Sequence, residues 1–525
     1  MTDDIIFKMG EAIDKKNLWS FYHEFCQNLP DSKISYEKLT AFIPKLTVAL
    51  GNDWAIGELH QSIKGYSANN IESNLNFFDS LINSDNEYLQ RFAPNAFDAI
   101  VETHGTNRAW DHLQKKIFVE QIKVEALEAL YRMDFELFSE KDKEKNIDSL
   151  RPKLNELRKS DNSELQGYAL MLYAKFCAFI PEAKETISAL AKIEHIRIQS
   201  SIKHVLDKKI IEDSELFRTL LLSLVVVDSE RELLIRSIES DVLTLFETDK
   251  GLAEEFLTEW VIRRSDKNGS EIKNLSYLFQ ELYKRHNATF KKILTKWLNH
   301  DDKAFHRACK VVSSEFFISR IYDLELDKEA LLDFEIRDIR FITSKILGFI
   351  FARQHLRSLL YSILATRDDD LSHDIIVSSY TEYVMVNYPS TKDYLLEKRL
   401  SAREATQKAI DTIINISDQY FEAIHNLPIC EELKGSQNFA REYNKAQSKL
   451  HSEAMKKPME GSISSLFRNI NIKAGNSWFH RDENGYSDKS RFGEVTMSDE
   501  LPRAERINQY GMSLARLHWT IEERK

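Results

Sequence analysis

Glycine, proline and long apolar runs are all scarce in this sequence. The chain has 15 Gly and 9 Pro among 525 residues, less than half the share that soluble proteins usually contain. Turn-rich β architectures depend on both residues, so the composition argues against them. The longest apolar stretch runs from Leu220 to Val227 and is interrupted by Ser223, far short of the ~20 residues that a membrane-spanning helix needs. The sequence therefore predicts a folded protein without direct membrane insertion.

The chain also has few cysteines and no net excess of positive charge. Successive cysteines lie 151, 132 and 121 residues apart and none belongs to a CxxC or Cys/His cluster, which predicts buried thiols rather than metal ligands. Lysine and arginine number 72 against 83 acidic residues, a formal charge of −11, so a uniformly basic nucleic-acid-binding surface is disfavoured and only local patches remain open. The N-terminal residues MTDDIIFKMG lack a secretion signal, so we expect a cytoplasmic protein.

Proline placement indicates long helices. No proline occurs between Pro181 and Pro389, which leaves 207 consecutive residues without the strongest helix breaker. Apolar residues recur at helical spacing, and strand-like alternation is rare. One such stripe consists of Phe290, Ile293, Leu294, Trp297 and Leu298. The predicted class is all-α.

An internal repeat narrows the architecture. The segment from Ser84 to Ala93 aligns with the segment from Ser160 to Ala169, 76 residues later, which is twice 38. A looser copy begins at Asp301, and segments at Val124 and Ile196 fall near the intervening positions. Each copy has an Asp or Asn suited to cap a helix and a small residue that lets a paired helix approach. The pattern resembles the HEAT repeat over about residues 70 to 320, which implies stacked helical hairpins with a concave surface; an irregular helical bundle is the alternative.

Four regions follow from these patterns. We predict an N-terminal helical cap over 1–70, HEAT-like repeats over 71–325, a second helical domain over 326–452 and a C-terminal module over 453–525. The last region holds four of the chain's glycines within 33 residues, and its stretch from Ser477 to Tyr486 predicts a loop or a short hairpin, because Asn-Gly favours tight turns. A helix is expected to resume at Ala504.

The short sequence motifs of common enzymes are absent: the chain has no GxxxxGK[ST], GxGxxG, HExxH or GxSxG sequence. We therefore predict no catalytic residue, cofactor or metal site, although a DNA-processing enzyme stays an alternative.

Basic residues give the strongest binding signal. Between Lys284 and Lys310, eight lysines and arginines face only two acidic residues, as a surface that contacts phosphates requires, although a solvated helix face is the simpler explanation. A second group of basic residues lies on one helix. A third group lies in the C-terminal module, where basic and aromatic residues interleave. The candidate nucleic-acid-binding residues are Lys284, Arg285, Lys291, Lys292, Lys296, Arg307, Arg353, Arg357, Arg481, Lys489 and Arg491.

A carboxylate and an imidazole in the second helical domain form a candidate polar pair. Glu382 and His425 each lie at the edge of an apolar helix face, where a hydrogen bond would tune the histidine or simply satisfy both groups. Their contexts, YTEY and EAIHN, resemble the EH-signature proteins of bacterial Zorya-type anti-phage defence systems, with Glu404 and His451 as another match. The resemblance implies a soluble defence component that engages DNA beside a membrane proton-driven motor complex and a nuclease.

These signals lead to one function with two alternatives. The sequence favours a non-catalytic α-solenoid that binds DNA and partner proteins within a bacterial defence assembly. A protein-only scaffold without nucleic-acid affinity and a HEAT-like DNA-processing enzyme remain open.

Overall fold

The structure is a computed structural model. It describes residues 18–50, 57–264, 270–316, 323–428, 441–446, 448–449, 477–482, 485–491 and 502–524. Within these ranges no helix combines the length and apolar character that a bilayer crossing demands. The described residues are helical apart from one hairpin and the connecting turns, which confirms the all-α class.

The chain divides into two compact units. The first comprises Met1–Ile293 with Asp302–Ser319, and the second comprises Leu294–Asp301 with Arg320–Lys525. The finer division into four regions stays a prediction.

The helices of the first part of the chain are short and follow one another closely. Their bounds are α1 Leu18–Asn28, α2 Tyr36–Leu50, α3 Gly57–Asn69, α4 Asn74–Ile82, α5 Glu87–Gln90, α6 Ala93–His104, α7 Thr106–Ile117, α8 Val124–Arg132, α9 Glu140–Leu157, α10 Ser163–Lys175, α11 Ala183–Leu190, α12 Ile196–Asp207, α13 Ser214–Ser223, α14 Glu232–Thr248, α15 Lys250–Arg263, α16 Ser276–Arg285, α17 Asn287–Leu298 and α18 Lys303–Val311. Short 3₁₀ turns cover Phe135–Leu137, Leu224–Val226 and Ser270–Leu275, and a π-helical turn covers Val312–Phe316.

The remaining helices belong to the second unit. Their bounds are α19 Lys328–Asp333, α20 Ile336–Phe349, α21 Arg353–Thr366, α22 Asp370–Ser379, a π-helical turn Tyr380–Val384, α23 Met385–Asn387, α24 Thr391–Arg399, α25 Glu404–His425, α26 Arg503–Ile507 and α27 Gln509–Ile521. Residues 441–446 and 448–449 are also helical. The predicted resumption of a helix near Ala504 is confirmed by α26.

The repeated Asp and Asn residues cap helices as predicted. Asn86 accepts a hydrogen bond from the backbone N–H of Tyr88, and Asn162 accepts one from Glu164. Asp302 does the same at the start of α18. Capping is a local interaction that satisfies backbone donors left open at a helix start. The small residues of the three copies, Ala93, Ala169 and Cys309, are fully buried.

Several helices of the first unit that are separated in sequence by one or two other helices pack against each other in a row. Helices α3, α6, α8, α10 and α12 form such a row. They begin at Gly57, Ala93, Val124, Ser163 and Ile196, so successive starts are 36, 31, 39 and 33 residues apart. The segments at Val124 and Ile196 that fit the repeat period are therefore helix starts.

Close approach within this row depends on Gly167 of α10. A Cβ atom at this position would lie 2.6 Å from the Ser201 hydroxyl oxygen and 3.3 Å from the Arg197 carbonyl oxygen of α12. A larger side chain would thus push the two helices apart.

The predicted apolar stripe of α17 forms part of the core. Its five apolar residues, from Phe290 to Leu298, are each at most 5% exposed. Helix α17 therefore has the predicted buried side, and its period follows from the sequence alone.

The C-terminal helix α27 packs against α20 in the second unit. Lys345 of α20 donates hydrogen bonds to the carbonyl oxygens of Trp519, Thr520 and Glu522, and Arg524 forms ion pairs with Asp301 and Asp338. Helix α27, which is distant in sequence from α20, is therefore part of the structure of the second unit.

A two-stranded antiparallel hairpin lies in the C-terminal module. Strand β1, Ser477–Asp482, pairs with β2, Gly485–Arg491, from Ser477 opposite Arg491 to Asp482 opposite Gly485. A register shift between Phe479 and His480 interrupts the ladder.

Candidate functional site

An open groove of the first unit runs along the row of helices α3, α6, α8, α10 and α12. Its volume is about 1100 Å³, which is large for a small-molecule pocket. Polar residues of consecutive helices alternate along it with apolar ones. The lining consists of Lys64, Asp98, Val101, Glu102, Glu128, Tyr131, Arg132, Met133, Asp134, Leu137, Glu164, Tyr168, Met171, Lys175, Arg197, Ser200, Ser201, His204, Lys208 and Ile210.

Ion pairs link neighbouring helices across the groove floor. The Lys64 ammonium of α3 lies 2.6 Å from a carboxylate oxygen of Glu102 of α6, and the Arg132 guanidinium of α8 forms an ion pair with Asp98 of α6. Farther along the row, the Arg197 guanidinium of α12 lies 3.6 Å from a carboxylate oxygen of Glu164 of α10. The partners are 33 to 38 residues apart, close to the predicted repeat period, because each helix of the row contacts the next one in the row.

Burial shifts the pKa of several groups in the groove. It raises the pKa of Asp98 and of Glu128, although Arg132 opposes both shifts. It also lowers the pKa of Lys175 to about 8, because a low-dielectric surrounding disfavours the charged ammonium. The Lys175 ammonium donates to the carbonyl oxygens of Tyr131 and Met133 at the end of α8.

The groove also offers exposed apolar surface and an unpaired polar atom. Leu137 is 61% exposed. The His204 ring packs edge-on against Tyr131, with 5.4 Å between ring centroids. The Nε2 atom of His204 is buried and has no hydrogen-bond partner among the residues that the structure describes, and burial lowers the pKa of this histidine. A ligand donor or acceptor at this atom would satisfy it.

The charges of the groove balance. Five lysines and arginines line it together with five aspartates and glutamates, whereas a surface that follows a nucleic-acid backbone needs an excess of positive charge. Among the described residues no group of three or more His, Cys, Asp or Glu has the arrangement of a metal site. A surface that carries charges of both signs beside apolar side chains is complementary to a protein segment with the opposite charge pattern.

Two of the predicted nucleic-acid-binding residues neutralise a carboxylate of their own helix. Lys284 and Arg285 of α16 lie 2.6 and 2.9 Å from the carboxylate of Glu281, which is 7% exposed. The two cations lower the pKa of Glu281. Glu281 precedes the stretch from Lys284 to Lys310 over which the charged residues were counted. When Glu281 is included, the local excess of positive charge is smaller.

The other basic residues of that stretch differ in exposure. Lys292 and Lys296 of α17 are exposed, whereas Lys291 and Arg307 are half-buried.

Arg353 and Arg357 of α21 interact within their own unit. Arg353 donates a hydrogen bond to the Ser390 hydroxyl over 3.0 Å. The Arg357 guanidinium lies 4.3 Å from the centre of the Tyr394 ring, a cation–π contact. Both arginines are half-buried.

For Arg481, Lys489 and Arg491 the structure gives the backbone alone. All three lie in the strands of the hairpin, and their side chains lie outside the described part of the structure.

No hydrogen bond joins Glu382 and His425 among the described residues. Glu382 lies in the π-helical turn before α23, and His425 is the last residue of α25. The two elements are neighbours, as predicted, but both side chains are exposed. Glu382 instead lines a small cleft of the second unit.

The prediction of buried thiols holds for two of the cysteines. Cys26 and Cys309 are buried and Cys177 is half-buried, while Cys430 lies outside the described residues. Burial raises the pKa of Cys26 to about 11 and that of Cys309 further, so neither thiol ionises near neutral pH.

The groove residues were missed in the sequence because half of them are charged residues that, taken singly, resemble ordinary surface charges. The one available signal was the spacing of opposite charges by about one repeat, such as Lys64 with Glu102. Comparison with models of known protein families found no match, and no curated protein sequence matches the chain.

Proposed function

We propose that this chain is a non-catalytic helical-repeat scaffold whose first unit binds a segment of a partner protein in the groove. The observation that carries the proposal is the balanced, partly apolar lining of a groove that crosses five consecutive helices of one row. Such a surface suits an extended or helical segment, because apolar anchors supply affinity and the interleaved charges fix its register.

Repeat packing supports a scaffold role. Each helix of the row contacts only a few neighbours in sequence, so successive units can add binding surface without a common active centre. The ion pairs between neighbouring helices hold the lining in place before a ligand arrives, which reduces the entropy lost on binding.

Two exposed leucines provide a matched test. Leu137 lies in the groove and Leu233 lies outside it on α14, with 61% and 84% exposure. Peptides selected from a random display library against the full-length protein should bind the L233D variant within about two-fold of wild type. Binding to L137D should be at least about ten-fold weaker, because burying one leucine contributes about 1.5–3 kcal/mol. Equal affinities for L137D and L233D, or no selectable peptide, would contradict the proposal.

DNA binding is the second candidate function, favoured by the exposed lysines of α17. Reversing Lys292 and Lys296 to glutamate should weaken a mobility shift with duplex DNA and lower its salt dependence by about one unit per lost phosphate contact. The control variant reverses Lys141 and Lys145, which are exposed on α9, and changes net charge equally. Equal effects of the two variants would exclude a specific role for α17.

Membership of an anti-phage assembly is part of the same proposal. It rests on the sequence contexts of Glu382 and His425, and a neighbouring gene pair for a membrane motor together with a helicase or nuclease gene would support it. A genomic neighbourhood without such genes would count against it, and would leave the peptide experiment unaffected.

A further inference from the structure

A second, smaller cleft lies in the second unit and is independent of the groove. Its volume is about 330 Å³, at the lower end for small-molecule sites. Helices α20 and α22, the π-helical turn and α27 each contribute to its walls.

The π-helical turn shapes one wall of this cleft. The backbone N–H of Met385 donates to the carbonyl oxygen of Tyr380, an i to i+5 bond that widens the helix by one residue. Such turns are frequent at functional sites. The wider turn places Glu382 and Tyr383 in the cleft lining, and the Trp519 ring packs edge-on against Tyr383 with 5.0 Å between centroids.

A buried hydroxyl without a partner lies at the floor. Thr343 lines the cleft and is 2% exposed, and within the described ranges of the chain its Oγ1 atom has no hydrogen-bond partner. A buried polar atom without a partner is unfavourable, and a polar ligand that reaches the floor would relieve this cost.

Three exposed charged residues surround the mouth. Arg340 of α20, Asp374 of α22 and Glu382 line the cleft. The lining thus combines one cationic group with two anionic groups and one indole ring.

This combination excludes several ligand classes. An inorganic anion would meet two carboxylates, and a nucleotide phosphate chain would meet a single arginine. A metal ion would need more ligands than the two acids present, since none of the described residues forms a cluster suited to a metal.

We propose that this cleft binds a free α-amino acid. Arg340 pairs with the ligand carboxylate, and Asp374 and Glu382 receive the ammonium group. The ligand side chain lies against the Trp519 ring. Charge-assisted hydrogen bonds at both ends of the ligand give the site its selectivity for a zwitterion.

Calorimetric titration of the full-length protein tests the proposal, with each of the twenty common L-amino acids as the probe. We expect at least one amino acid to bind with a stoichiometry of one. Its N-acetyl derivative, which lacks the ammonium, and its amide, which lacks the carboxylate, should each bind at least about ten-fold more weakly.

Substitutions in the cleft provide the second part of the test. R340Q and E382Q should each weaken binding at least about ten-fold, whereas R337Q on the same helix and E397Q on α24 should change it less than about two-fold. T343V should weaken binding while leaving the thermal midpoint equal or higher, because valine has a similar shape and removes the unpaired hydroxyl. The proposal is overturned if none of the twenty amino acids binds, or if R340Q and E382Q leave the affinity of the bound one unchanged.

Discussion

One buried lysine contributes to the docking of the C-terminal helix, so its removal should loosen that helix. Lys345 is 1% exposed, and its ammonium donates to the carbonyl oxygens of Trp519, Thr520 and Glu522 over 3.2, 3.2 and 2.5 Å. These acceptors lie at the end of α27, where carbonyl groups have no partner within the helix. The K345M variant keeps a chain of similar length and removes all three donors.

The expected magnitude follows from these contacts. A hydrogen bond to a charged group contributes about 1.5–3 kcal/mol, but three bonds to one ammonium are not additive and water reaches the carbonyls once the helix opens. We therefore expect K345M to lower the free energy of α27 docking by about 2–4 kcal/mol. Hydrogen exchange in peptides that cover residues 509–521 should accelerate by about 30- to 700-fold if exchange occurs through local opening.

A second variant and a control complete this test. A Cβ atom at Gly348 would lie 3.0 Å from the backbone nitrogen of Thr520, so G348V should accelerate exchange in the same peptides by pushing α27 away. K328M changes an exposed lysine of the same unit and should have no effect. Unchanged exchange of α27 in both K345M and G348V would refute the assignment of Lys345 as the residue that holds this helix.

Three further predictions concern protonation and coupling. Burial lowers the pKa of Lys175 to about 8 from an ordinary value of 10.5, so the unfolded chain binds more protons than the folded chain between these two pH values. The free energy of unfolding of wild type relative to K175M should therefore rise with pH in this range, by up to about 1 kcal/mol per pH unit. A difference that stays constant in chemical denaturation from pH 8 to 10 would contradict this. Cys26 and Cys309 should react with a thiol reagent at pH 8 only after unfolding, as peptide mapping would show, because burial raises the pKa of both; labelling of the native protein would disprove it. E382A and H425A should each change the free energy of unfolding by less than about 0.5 kcal/mol, and the two effects should be additive, since no hydrogen bond joins these exposed residues. A coupling energy above about 0.5 kcal/mol would restore the predicted pair.

Local features of the fold could be predicted from the sequence. Asn86, Asn162 and Asp302 cap helices, because a cap depends on a side chain and backbone N–H groups two or three residues away. The buried stripe of α17 follows from a period of 3.6 residues. Each of these patterns depends only on residues of a single helix and its cap, so the local sequence is sufficient to predict it.

Features that depend on distant contacts could not be predicted. In the sequence nothing distinguishes Lys345 from other lysines, because its acceptors lie 174 to 177 residues away. Glu382 was selected for its position on an apolar edge, but the cleft that contains it needs Trp519 from the C-terminal helix. The groove of the first unit likewise joins residues from five helices, and half of its lining residues resemble solvated surface charges when each helix is taken by itself.

Site-specific photo-crosslinking tests the central claim, that the groove binds a partner protein, most directly. A photoreactive benzoylphenylalanine is placed at position 137 or at position 233 of the full-length protein, and the protein is irradiated in the cells that naturally produce it. We predict a discrete adduct from position 137 that protease removes and nuclease leaves intact, with no such adduct from position 233. Equal adducts from both positions, or adducts from position 137 that nuclease alone removes, would contradict the claim.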